Sequence, residues 1–179
     1  MNIRKIIMSL AMFLSATLAV SAQATTENGK DLDSLYAQRL LKSGTAAPDF
    51  TLSMPDRKTF RLSDHKGKYI LLDFWASWCP DCRKDIPAVR SLYEKYGKKV
   101  VFVGVSFDTD HNRWTDCIAK NNMEWLHVSE LKKMREAEIS KTYGVQWIPS
   151  MTLIGPDGKV VLSTVVVERM EEALKEIKD

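Results

Sequence analysis

Seven consecutive residues, Tyr69 to Trp75 (YILLDFW), carry a single charge among apolar and aromatic side chains. Such a run has no polar face to give to water. As a strand it must be covered on both sides, the situation of a parallel strand with helices above and below. VVFVGVSF, Val100 to Phe107, repeats the pattern. Between the two runs Ile86, Val89, Leu92, Tyr93 and Tyr96 fall three and four apart, the spacing of one helix face, and Gly97 closes that helix.

The same reasoning extends along the chain. Asp33-Ser34 can cap a short helix from Leu35 to Lys42 that Gly44 ends. PDFTLSM and KTFRL alternate and form a hairpin across Pro55-Asp56, and residues 63–68 form a loop. Asp110 caps a helix carrying Trp114, Cys117 and Ile118; WLHV is a short strand; Glu130 to Tyr143 is helical with Gly144 as its stop. SMTLIG, the turn Pro156-Asp157-Gly158 and KVVLSTVVV make a second hairpin, and Glu168 to Lys178 a last helix. The expected class is α/β, with a central mixed sheet and helices on both faces. An N-terminal β-hairpin extension and a central helix-strand insertion are added to it.

The first 24 residues read differently. Arg4 and Lys5 precede an apolar stretch, Ile6 to Val20, and small residues end it at Ala22-Gln23-Ala24. This is the pattern of a secretory signal peptide, cut after Ala24 or, second, after Ala22. The alternative is an uncleaved anchor, for which the stretch falls short of the roughly 20 residues that span a bilayer. Cleavage removes two basic residues and no acid, so the net charge of +3 falls to +1. That balance gives no reason to expect nucleic acid as a partner. Residues 25–46 then read as a leader with a short helix, and residues 47–179 as the globular domain.

Three cysteines are too few for a disulfide scaffold, and a domain of this length can bury a sufficient core without one. The close pair, Cys79 and Cys82, is therefore better explained by chemistry. Cys79 falls where strand gives way to helix, and Pro80 is the first helical residue, where its missing N–H matters little. Unpaired amides of the first turn then face the Cys79 sulfur and favour thiolate, the attacking form. Cys82 lies one turn inside and can bridge it. Arg83 and Lys84 add positive charge and Asp81 opposes it.

The alternatives weigh less. Haem attachment needs His after the second cysteine, where Arg83 stands. Zinc needs further ligands, and Cys117, His65, His111 and His127 offer no second pair. A static bridge across so small a ring constrains the unfolded chain little.

Among the neighbours, Asp73 is a carboxylate inside an apolar strand. Its pKa is expected to rise, which makes it a proton acceptor for Cys82. Trp75 is expected in the core and Trp78 at a rim that touches substrate. Cys117 is expected to behave as a small buried hydrophobe. Pro87 is expected to kink its helix. Pro149, before SMTLI, reads either as an edge proline or as a cis bond exposing the Ile148 backbone.

DFWASWCPDC followed by Pro87, with Ile148-Pro149 before a strand and a GPDG hairpin, resembles the thioredoxin fold. Ala47-Pro48-Asp49-Phe50 opening a hairpin, with the extra helix and strand around residues 110–128, is similar to the exported TlpA/ResA-type thiol–disulfide oxidoreductases. The resemblance covers Gly44 to Asp179. It implies that Cys79 attacks and Cys82 resolves, that Pro149 is a cis-proline facing them, and that Ile148 offers backbone hydrogen bonds to a bound partner. Asp73 matches the buried acid of thioredoxin, while Pro80-Asp81 departs from its Gly-Pro. Trp78, Pro80 and Asp81 complete the expected substrate-binding surface. A peroxiredoxin would need Thr or Ser three residues before its reactive cysteine, and neither cysteine has one there.

The expected protein is thus a periplasmic thiol–disulfide oxidoreductase, a monomer that needs no dissociable cofactor or metal. The resemblance implies disulfide-containing protein clients, reduction as the usual direction, a membrane thiol carrier as electron donor, and apocytochrome c as one client class. A disulfide-forming oxidase and a non-catalytic metal or haem-protein chaperone gripping through the cysteine pair remain as alternatives.

Overall fold

The computed structural model describes residues 26–27 and 30–177; the predicted export segment, residues 1–24, lies outside them. Two short strands, β1 (Thr26–Glu27) and β2 (Lys30–Asp31), pair antiparallel and lead into α1 (Leu32–Tyr36). β3 (Thr51–Ser53) and β4 (Thr59–Arg61) form the first hairpin. β5 (Tyr69–Trp75), α2 (Pro80–Tyr96), β6 (Val100–Ser106), α3 (His111–Lys120), β7 (Leu126–Ser129) and α4 (Glu138–Tyr143) alternate. β8 (Ser150–Ile154), β9 (Val160–Thr164) and α5 (Val167–Lys175) complete the chain.

Seven strands form one sheet in the order β4-β3-β7-β6-β5-β8-β9. β5 lies inside it, parallel to β6 and antiparallel to β8, so the sheet is mixed as expected. The apolar run meets the demand it made: Leu71, Leu72 and Phe74 are fully buried, and Trp75 nearly so. Asp73 lies opposite Gly104 on β6 and Met151 on β8. Gly104 is required there, since a Cβ would stand 2.6 Å from Nδ1 of His127.

Three elements differ from the sequence expectation. The first helix is Leu32–Tyr36, not Leu35–Lys42, because Asp31 caps it by accepting the N–H of Asp33. Beyond Tyr36 the chain leaves the helix and delivers Ala37 and Leu40 into the core. Helix α4 begins at Glu138 rather than Glu130. Leu131 takes φ 52°, left-handed backbone that does not continue a helix, and the Glu130 carboxylate reaches forward to accept the N–H of Ile139 at 2.9 Å. Within the expected loop, Leu62–His65 form a single 3-10 turn.

Candidate active site

Cys79 is the N-cap of α2, with extended backbone (φ −81°, ψ 115°), and Pro80 opens the helix. The placement follows from the junction: β5 ends at Trp75, and a three-residue loop, Ala76-Ser77-Trp78, separates it from the cysteine. Cys79 and Cys82 are joined in a disulfide, with Cα atoms 5.3 Å apart. The N–H of Cys82 donates to Sγ of Cys79 at 3.1 Å, so a helix-start amide does aim at this sulfur. Both cysteines are buried, 5% and 3% exposed, whereas Trp78 is 56% exposed at their rim. The Ile148–Pro149 peptide is cis, and Sγ of Cys79 lies 3.7 Å from the Ile148 carbonyl oxygen. Fold and chain order therefore bring Cys79, Cys82, Ile148 and Pro149 to one place.

The loop before Cys79 is held by a buried carboxylate that the sequence reading did not single out. Asp108 follows β6 and is 2% exposed. It accepts the N–H of Ser77 at 2.9 Å, the Ser77 hydroxyl at 2.5 Å and the Ser106 hydroxyl at 2.7 Å. Arg83 donates to the Ser77 carbonyl at 2.8 Å, fastening the same loop from the helix side. Lys84 forms an exposed pair with Asp81 at 2.8 Å. The two cations that follow the cysteines are thus both engaged, one with backbone and one with an acid.

The other side of the disulfide has a different character. Asp73 is 6% exposed, and no hydrogen-bond donor among the described residues reaches it. Burial, reinforced by the Asp85 carboxylate, pushes its pKa up to about 7. Asp85, half-buried, is itself pushed up to about 6 by burial and then by Glu168 and Asp81, with Lys84 opposing. Asp73, Cys82, Asp85 and Pro149 line a void of about 10 Å³ between sheet and helix. Asp85 was missed in the sequence, although its place three residues after Cys82 on one helix face is a signal that could have found it.

Other expectations resolve simply. Trp75 is core. Cys117 is partly buried and accepts a contact from the Asn121 amide at 3.5 Å, and burial raises its pKa. His111 meets the Pro55 carbonyl, while buried His127 meets that of Met123 and packs on Trp75 and Trp125. Burial lowers the His127 pKa to about 4. Helix α2 runs unbroken through Pro87. Among the described residues no three His, Cys, Asp or Glu side chains converge where they could hold a metal ion. Likewise, no described helix is long and apolar enough to cross a membrane.

A dithiol couple at the N-terminus of a helix, set at the end of a central strand of this sheet, defines a thioredoxin-like thiol–disulfide oxidoreductase. The chain belongs to the Redoxin family, whose model matches residues 42–178, and within it to the TlpA/ResA type. It is 36% identical over 141 residues to the thiol-disulfide oxidoreductase ResA of Bacillus thuringiensis subsp. konkukian, covering 76% of this chain and 79% of that protein. Among solved structures it is similar to a thiol-disulfide oxidoreductase from Bacteroides fragilis, with a TM-score of 0.69 and 28% identity over 74% of this chain and 98% of that one. The thioredoxin domain of a thiol-disulfide oxidoreductase from Bacteroides vulgatus gives a TM-score of 0.66 at 28% identity, over 75% and 99%.

Proposed function

We propose that this protein is exported, loses residues 1–24, and acts as a periplasmic monomer that reduces disulfides in protein clients, residues 25–46 linking the cut end to the catalytic domain. The observation that carries this reading is the Cys82 N–H aimed at Sγ of Cys79 at the start of α2, beside the Ile148 carbonyl. In the reduced protein that amide favours a Cys79 thiolate. The thiolate attacks one sulfur of the client disulfide. A mixed disulfide forms and the first client sulfur leaves as a thiolate that takes a proton from water. Cys82 then attacks Sγ of Cys79, the second client sulfur leaves, and the Cys79–Cys82 disulfide closes. Two electrons pass from the dithiol to the client, and a membrane thiol carrier restores them. No dissociable cofactor takes part.

Asp73, with its raised pKa, accepts the proton that Cys82 gives up in the second step. Trp78, Pro80 and Asp81 form the exposed rim the client meets, and Ile148 beside Pro149 offers it backbone hydrogen bonds. An apocytochrome c with its thiol pair oxidised is the client class the family resemblance suggests.

The test is turnover of insulin disulfides with dithiothreitol as electron source. Wild type is expected to accelerate it, Cys79→Ser to remove the acceleration, and Cys82→Ser to accumulate a mixed disulfide visible by mass. A wild-type rate no better than dithiothreitol alone overturns the reading. The potential of the couple decides direction: about −270 mV fits a reductant, about −120 mV an oxidant.

A further inference from the structure

Helix α1 presents a puzzle. Its five residues contribute nothing fully buried, and so short a helix has little stability of its own. Yet it is fixed in place by a carboxylate clasp. Asp33 accepts the Thr164 hydroxyl at 2.9 Å, the Val165 N–H at 2.8 Å and the Arg169 guanidinium at 2.5 Å. Arg169 also pairs with Asp31 at 2.8 Å.

What the clasp positions is the wall of a groove next to the disulfide. The groove encloses about 430 Å³ and includes Pro149 in its lining. Leu32 and Tyr36 of α1 form one side with Trp147, whose ring stacks on Tyr36 at 4.1 Å and 22°. Trp147 is still 39% exposed. Asp81, Asp85 and Glu168 line it together with Ala88 and the valines at 165–167, and no lysine or arginine does among the described residues. Lys84 pairs with Asp81 at 2.8 Å and Arg169 is held in the clasp, so among the described residues Asp85 and Glu168 are the groove carboxylates without an ion pair.

We propose that α1 is a specificity element: it completes a groove that receives an extended client segment carrying a lysine or arginine, with an apolar neighbour, beside the client cysteine. Asp85 and Glu168, which hold no ion pair among the described residues, suit the cation, and the Tyr36–Trp147 stack suits the apolar neighbour. This rests on the protein-reductase reading above and adds the chemistry of the client. Arg169 acts through α1 and is a positioning residue.

The experiment uses the pre-reduced protein in single-turnover reactions with three oxidants. Two are disulfide-linked peptides matched in sequence except for Lys or Glu flanking the cysteine; the third is neutral hydroxyethyl disulfide. Wild type is expected to prefer the Lys peptide by about tenfold at low salt, the ratio shrinking in high salt as surface charges are screened. Arg169→Gln, which frees α1 and its apolar wall, is expected to slow both peptides several-fold with the hydroxyethyl disulfide rate unchanged, whereas Glu168→Gln is expected to lower the Lys/Glu ratio. Should Arg169→Gln fail to fold, Tyr36→Ser removes the same apolar wall and is expected to slow both peptides relative to hydroxyethyl disulfide. A wild-type ratio of one or below, a ratio untouched by Glu168→Gln, or peptide rates untouched by the α1 substitutions, overturns the inference and leaves the reductase reading standing. Failure of wild type to reduce all three oxidants removes that reading, and this inference with it.

Discussion

Two buried aspartates flank the same disulfide and live under opposite conditions. Asp108 sits under the loop that precedes Cys79 and receives hydrogen bonds from Ser77 and Ser106. Asp73 sits on the strand beneath α2, in the company of Asp85, with burial the leading force on it. A carboxylate given donors is a structural tie. A carboxylate given only burial and a like-charged neighbour titrates near neutrality, as the proton acceptor proposed for Cys82 must. Residue type and burial alone do not separate these two roles; the partners do.

The strongest way to break this comparison is to neutralise Asp73. Its pKa is raised in the fold, so the folded state holds a proton that the unfolded chain releases between pH 4 and 7. Stability linked to Asp73 is then fully present below about pH 4 and is lost as pH rises through 7. Asp73→Asn is expected to stabilise the protein at pH 8, by up to about 4 kcal/mol at 1.36 kcal/mol per pKa unit, and to change little at pH 4. Urea midpoints at the two pH values measure it. The same substitution is expected to slow resolution of the mixed disulfide by about a hundredfold, the low end of general acid–base contributions. Rapid-quench mass analysis would show the mixed disulfide persisting. A variant less stable than wild type at pH 8 would show that Asp73 has a structural partner.

Asp108→Ala should move stability in the other direction. It strands the buried Ser106 hydroxyl and the half-buried N–H and hydroxyl of Ser77, each worth about 1 kcal/mol when left unpaired. A loss of about 3 kcal/mol is expected at pH 8, with no gain at any pH. If the urea midpoint is unchanged, the loop before Cys79 is held by Arg83 alone and the contrast between the two aspartates disappears.

The contrast also explains what the sequence disclosed. The strand–cysteine–helix junction was legible because its signals are local: an apolar run, a capping position, a proline at the first helical residue. So was Asp73, a lone charge in YILLDFW, whose expense is visible without a structure. The start of α4 was not legible, because the group that caps it, Glu130, acts across nine residues around a left-handed Leu131. Asp108 and the clasp at Asp33 escaped for a related reason. Ser77, which Asp108 ties down, lies 31 residues from it, and the partners of Asp33 lie more than 130 residues away, so only the closed sheet brings them together.

The smallest effect tests the coupling between Asp73 and its neighbour. Asp85 raises the Asp73 pKa by repulsion, but burial is the larger cause. Asp85→Asn removes a negative charge, makes the ionised form of Asp73 easier to reach, and so lowers the pH at which Asp73 can accept a proton. The pH midpoint of mixed-disulfide resolution is therefore expected to move down by less than about one unit, since burial remains. Asp85 sits half-buried within a group of acids that includes Glu168 and Asp81, and the substitution also relieves that repulsion, so no loss of stability is expected. An upward shift would mean that Asp85 hands protons to Asp73 rather than repelling its charge. A downward shift of two units or more would mean that the like-charged neighbour, and not the low-dielectric strand beneath the helix, is what tunes this acid.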